Sequence, residues 1–278
     1  MKSSKTLLSV GLAAVMALSA TTVAADEVHD ADPRNTAWRG GIATDNNGEI
    51  KLVAGGGFNN LYGGGDYTTQ TIMIGEYFTQ SENFRFRLAN FDERFGGVYA
   101  DVNLTEGVDF YTAGYMLPLT ATNGTTLFFP SVNYSYVDFD TAEIANGFNE
   151  QASNSALGGY SMGSNSYRLQ GADVKHLLGG DHAHVASVNL YGLQPWNDTH
   201  YTVFQAFGGS SYGGVDMQMV DLVLLQGMRT QLGDAVFNIY LEGKYTNIKV
   251  NDVNDPTGNV SHLRGEETKV SVGFDWRF

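Results

Sequence analysis

The last ten residues, Lys269-Val270-Ser271-Val272-Gly273-Phe274-Asp275-Trp276-Arg277-Phe278, decide the fold class. Strict alternation puts Val270, Val272, Phe274, Trp276 and Phe278 on one side and Lys269, Ser271, Gly273, Asp275 and Arg277 on the other. A period of two belongs to an extended strand, not to a helix. A soluble sandwich has the same period. Here, however, the aromatics crowd one end of the apolar side, as an interfacial band requires, and the other side carries both signs of charge, as a water-filled interior permits.

The same design recurs upstream. Phe237, Ile239, Leu241 and Tyr245 alternate with Asn238, Tyr240, Glu242 and Lys244, while Gly243 thins the apolar side. Tyr111, Ala113 and Tyr115 share a face, as do Val98, Ala100 and Val102; Phe84, Phe86 and Leu88 alternate with Arg85 and Arg87. Charge on a lipid-facing side of a strand costs a few kcal/mol at midplane, so both arginines are expected to face inward. Strands are expected near 48–58, 66–78, 82–92, 94–104, 106–118, 124–137, 166–178, 182–194, 198–208, 215–229, 234–248 and 264–278. The expectation is all-β: a closed transmembrane antiparallel barrel of about twelve strands, closure removing the unpaired edges such a set would present. With twelve, the long connection 138–165 falls on the side of the termini, where turns should be short. If 36–44 and 157–163 are also strands the number is fourteen, and that connection lies on the opposite side.

At the other end, Lys2 and Lys5 precede an apolar run from Leu7 to Leu18 and small residues up to Val23-Ala24-Ala25. That reads as an export signal over residues 1–25, its core too short for a membrane-spanning helix. Residues 26–47 are expected as an N-terminal periplasmic or lumenal segment and 48–278 as the barrel. The chain has 34 Gly and 0 Cys in 278 residues, which favours strands and tight turns and suggests neither a disulfide framework nor a thiolate metal site. A net charge of −14 argues against a nucleic-acid partner.

Both ends resemble Gram-negative outer-membrane β-barrel proteins, porin-like or solitary autotransporter-type, with no subfamily motif spanning the chain. The resemblance implies export through the periplasm and a place in the outer membrane among lipid and lipopolysaccharide. It also implies recognition by the barrel-assembly machinery of a last strand carrying Phe274, Trp276 and Phe278. The expected function is a small-solute channel with a charged lumen, built from Arg85, Arg87, Asp101, Glu242, Lys244, Lys269, Asp275 and Arg277. Two alternating arginines along one wall would favour anions locally. The same residues could instead pair with one another and fill a narrow barrel, as a non-conducting structural, adhesive or receptor barrel would have them.

Signals for an outer-membrane hydrolase or a metal site are thin. Asp138-Phe139-Asp140 and Asp198-Thr199-His200 have the Asp-x-Asp and Asp-x-His form of omptin-type barrel proteases, yet their mutual spacing does not match that family. Asp181-His182-Ala183-His184, expected at an outward hairpin tip, offers too few ligands for a closed metal site. His176 lies in an expected strand, without a recognisable nucleophile motif beside it. Gly55-Gly56-Gly57 and Gly63-Gly64-Gly65 lack the Lys and helix of a phosphate loop. No catalytic residue, metal or cofactor is expected.

Overall fold

Residues that alternate along single strands acquire an inside and an outside only when the sheet closes. The computed structural model describes residues 28–62, 67–155, 168–232, 235–254 and 261–277. Its strands are β1 (Arg39–Asp45), β2 (Ile50–Asn59), β3 (Thr69–Phe78), β4 (Phe84–Asp92), β5 (Gly96–Leu104), β6 (Val108–Met116) and β7 (Leu119–Thr120). They continue as β8 (Leu127–Phe139), β9 (His182–Pro195), β10 (His200–Gly214), β11 (Met217–Leu232), β12 (Ala235–Val250) and β13 (Leu263–Arg277). Two helices, α1 (Thr141–Ser155) and α2 (Gly171–Leu178), lie between β8 and β9.

β7 is a two-residue ladder paired with β8, so the barrel has twelve strands. Each pairs antiparallel with its neighbours, and two seams close the ring. β1 meets β13 from Arg39↔Arg277 to Asp45↔Ser271, and β6 meets β8 from Val108↔Phe139 to Met116↔Ser131. The number matches the expectation, but two of its members differ. Residues 166–178 were expected as a strand; Gly171–Leu178 is helix α2 instead. Gln170 and Asp173 form a capping box, Val174 and Leu178 stand four apart on the buried face, and Gly179 ends the helix at φ 75°. These are helical start, period and stop signals.

In exchange, the barrel begins at Arg39 rather than at residue 48. The expected strand 157–163 and the export signal lie outside the described residues, as does Phe278.

This exchange reverses the direction of every strand from β2 to β8 relative to the twelve-strand expectation. The connection from Asp140 to Asp181 therefore shares a rim with the β2–β1, β3–β4 and β12–β13 turns, opposite the termini. These two ends are the loop rim and the terminal rim. At the loop rim the helices sit on inward-pointing apolar residues: Ala145, Val174 and Leu178 cluster with Val137, Ala183, Val185, Met217 and Val250. Fully burying one such side chain stabilises by about 1.5–3 kcal/mol, so the cap is held as a true core.

Candidate functional site

Register fixes which side chains share the interior. Arg39↔Arg277, Asn238↔Asp275 and Arg229↔Asn238 lie on one face, and the pattern carries round the ring through Tyr201↔Gly227 and Leu193↔Val203. The opposite face is apolar. Val98, Val132, Val188, Leu224, Leu241 and Val272 all point outward, and each is more than half exposed. Aromatic bands flank this zone: Trp38 against Phe58 and Phe274 against Phe237 toward the terminal rim, Tyr134 and Tyr136 against His184 toward the loop rim. Apolar outside, aromatic at both levels and closed, the exterior is matched to a bilayer.

The eight residues expected in the lumen, Arg85, Arg87, Asp101, Glu242, Lys244, Lys269, Asp275 and Arg277, all lie on the inward face by register. The structure adds partners. Arg85 donates to both carboxylate oxygens of Asp101, at 3.0 and 3.1 Å from Nε. Arg87 meets Glu76 at 3.1 Å, and Lys51 approaches the same Glu76 at 3.8 Å. Lys244 lies 3.8 Å from Asp221, and Lys269 lies 3.1 Å from Glu267 and 3.8 Å from Asp45.

The two arginines therefore do not form a bare positive track. The mid-lumen belt sets Lys51, Arg85, Arg87, Lys244 and Lys269 against Asp45, Glu76, Asp101, Asp221, Glu242 and Glu267, close to neutrality. The cations still touch solvent: the side chains of Arg85, Arg87 and Lys244 are 35%, 36% and 38% exposed. Across the lumen from β1–β3, the wall made by β8, β9 and β10 is uncharged. Asn133 donates to Ser187 at 3.2 Å and Gln205 to Asn189 at 2.9 Å, while Ser135 and Thr112 lie 2.7 Å apart.

Glu76, Asp221 and Lys51 belong to the belt and were not singled out from sequence. Each stands alone among apolar neighbours, so a charged residue at an inward position was the available signal. The amide wall gave less, since Ser and Asn look the same in a turn. Asp275 and Arg277 lie not in the belt but at the terminal mouth, together with Arg39, Arg229 and Asn238. There residues 28–36 fold back into the barrel. His29 packs edge-on against Tyr201 at 4.7 Å, Tyr191 donates to the Ala31 carbonyl at 2.6 Å, and Arg34 lies over the Phe129 ring. Close aromatic packing elsewhere in the interior depends on glycine: a Cβ on Gly273 would overlap the Tyr240 ring, and one on Gly227 the Tyr201 ring.

The remaining motifs do not assemble into a centre. Asp140 caps α1, its Oδ1 accepting from Glu143 N at 3.0 Å. Asp138 and Asp140 stand at the loop rim, whereas Asp198 and His200 stand at the terminal rim, so the two pairs are not brought together. His182 and His184 are on the outer wall of β9 rather than at a hairpin tip, with ring partners Asp181 at 2.9 Å and Tyr134 at 2.8 Å. His176 is in α2, not in a strand. Gly56 lies directly beneath the Trp38 ring, where no Cβ fits. Gly63-Gly64-Gly65 lies outside the described residues. Just outside the membrane-spanning strands, the Lys175 ammonium and then the His182 ring hold the Asp181 carboxyl down at about 2.

The fold and its faces define a closed, twelve-stranded transmembrane antiparallel β-barrel. Among solved structures, the NanC porin aligns over 87% of this chain and 99% of its own at a TM-score of 0.44 and 9% identity. A triple mutant of the Rhodopseudomonas blastica porin aligns over 88% and 99% at a TM-score of 0.20 and 9% identity. No protein-family profile and no curated protein sequence matches the chain. The barrel's class rests on its own closure and alternation.

Proposed function

We propose that the protein is an outer-membrane channel for small polar solutes that are uncharged or zwitterionic, inserted in a Gram-negative envelope after export through the periplasm. One observation carries this reading: a belt of inward charges, most of them paired and close to neutral overall, whose Arg85, Arg87 and Lys244 side chains are still about a third exposed to solvent. A water-filled interior of that kind offers hydrogen bonds without a strong field for either ion sign. The amide wall of Asn133, Ser187, Asn189 and Gln205 complements it. Twelve strands enclose more than an eight-stranded barrel, which side chains fill, and less than the open aqueous channel of sixteen or more. The export signal and the aromatic final strand support the location.

The test is conductance of the purified protein in planar bilayers, with reversal potential under a salt gradient and swelling of proteoliposomes in neutral sugars. Discrete steps, a reversal potential near zero and sugar-driven swelling are expected. Strong anion selectivity would overturn the neutral-belt reading. The apolar cap at the loop rim favours a second reading, a non-conducting barrel that acts through its outer surface. Persistent silence in both assays would establish that alternative.

A further inference from the structure

The terminal mouth is occupied by the chain's own carboxylate. Asp30 is 5% exposed. Its Oδ1 lies 3.2 Å from Arg277 Nη1, and its Oδ2 lies 3.3 Å from Arg229 Nε and 3.5 Å from Asn238 Nδ2. Arg39 donates to the Asp30 backbone carbonyl at 2.5 Å. The guanidiniums come from β13, β11 and β1, and the amide from β12, so four adjacent strands converge on one acidic residue of a segment outside the sheet. With Asp30 removed, Arg229 and Arg277 lose this carboxylate partner, and the neighbouring Asp275 already accepts from Asn238 at 2.8 Å. Arg229 and Arg277 are 38% and 31% exposed, so water screens them in part, yet guanidiniums gathered this closely favour an anion between them. One guanidinium reaching each oxygen, with the Asn238 amide beside the second, fits a planar carboxylate.

We infer that Asp30 is an internal ligand of a carboxylate-binding socket made by Arg39, Arg229, Arg277 and Asn238. A small carboxylate solute that takes its place releases residues 28–36 and opens the terminal mouth. The inference rests on the channel reading for its consequence, but not for the binding event itself. A short tether gives Asp30 an effective concentration in the millimolar range, so a free monocarboxylate must exceed that range to compete, and roughly 100 mM is an ample excess.

The absence of cysteine makes release directly measurable. Thr36, 8% exposed, serves as reporter, because its backbone carbonyl rather than its side chain holds Gly57 N. In Thr36→Cys protein refolded into vesicles, labelling by a hydrophilic maleimide should be slow. It should rise several-fold in 100 mM sodium acetate and not in sodium chloride of equal ionic strength. In the double variant Asp30→Asn, Thr36→Cys, labelling should be at least tenfold faster without acetate and insensitive to it. Asp30→Ser in the same background guards against a defect peculiar to one substitution, and heat-modifiable gel mobility confirms that the barrel is folded. Unchanged labelling in both Asp30 variants, or equal responses to acetate and chloride, overturns the inference. Because labelling needs no current, release in a silent barrel would remove the channel reading and leave the socket standing. A conducting barrel without release would do the reverse.

Discussion

Replacing Glu76 by glutamine tests the neutral belt most directly, because one carboxylate serves two cations. Glu76 is 8% exposed, with Arg87 at 3.1 Å and Lys51 at 3.8 Å. Breaking a fully buried pair by removing one partner costs about 3–5 kcal/mol. Here the Arg87 side chain is 36% exposed, so water screens the orphaned cation, and a loss of about 1–2 kcal/mol is the reasonable expectation. The barrel should still fold. Its permeation should change more visibly. An uncompensated unit charge acts on a permeating ion 8 Å away with about 0.5 kcal/mol even at the dielectric constant of water, and with more beside a low-dielectric wall. Because that energy attracts an anion and repels a cation, Glu76→Gln should move the anion-to-cation permeability ratio toward anions by about sixfold. Reversal potential under a tenfold salt gradient measures it, with refolding into vesicles across denaturant measuring stability. A variant that conducts with an unchanged reversal potential would refute the reasoning, since Glu76 would then not be balancing charges that permeating ions sense.

Leu241→Arg places a charge on the lipid-facing wall and should destabilise by about 2–4 kcal/mol, whereas the inward Glu242→Gln should have little effect on refolding; a larger loss in the second would mean the register of β12 is inverted. Gly273→Val forces side-chain atoms into the Tyr240 ring and should abolish the heat-modifiable folded band, while pairing it with Tyr240→Ala should restore it in part. The contact joining α2 to β9 depends on ionised Asp181, held at about 2 and so below its ordinary value of 3.8. Its contribution is complete above pH 3.8 and is lost as pH falls through about 2, so hydrogen exchange of α2, corrected for intrinsic rate, should be flat from pH 7 to 5 and rise toward pH 2. Phe278→Ser should reduce the outer-membrane yield of folded protein without altering the conductance of what does assemble, and equal yields would remove its role as an assembly signal.

Alternation alone determined much of this protein. In β12 and β13 it separated Leu241 and Val272 from Glu242 and Lys269, and it put Arg85 and Arg87 on the inward side, because a period of two leaves a strand only two faces and lipid tolerates only one of them. Local pattern was weakest where pairing rather than periodicity defines an element, and it offered 36–44 as a strand only in the fourteen-strand alternative. In β1, Gly40 and Gly41 have little strand preference; the segment is a strand because β13 and β2 hydrogen-bond to both of its edges. At Gly171–Leu178 the helix carried its own cap and stop signals, but an expected run of strands outweighed them. Those two exchanges left the strand number at twelve and moved the long connection to the other rim, since direction alternates with every strand.

What only the tertiary structure decided is who meets whom. Glu76 neutralises Arg87, Asp101 neutralises Arg85, and Asp30 reaches Arg277 across 247 residues of sequence. A sequence records each charge and its face, but the field inside a barrel depends on distances between strands, and closure alone sets those distances.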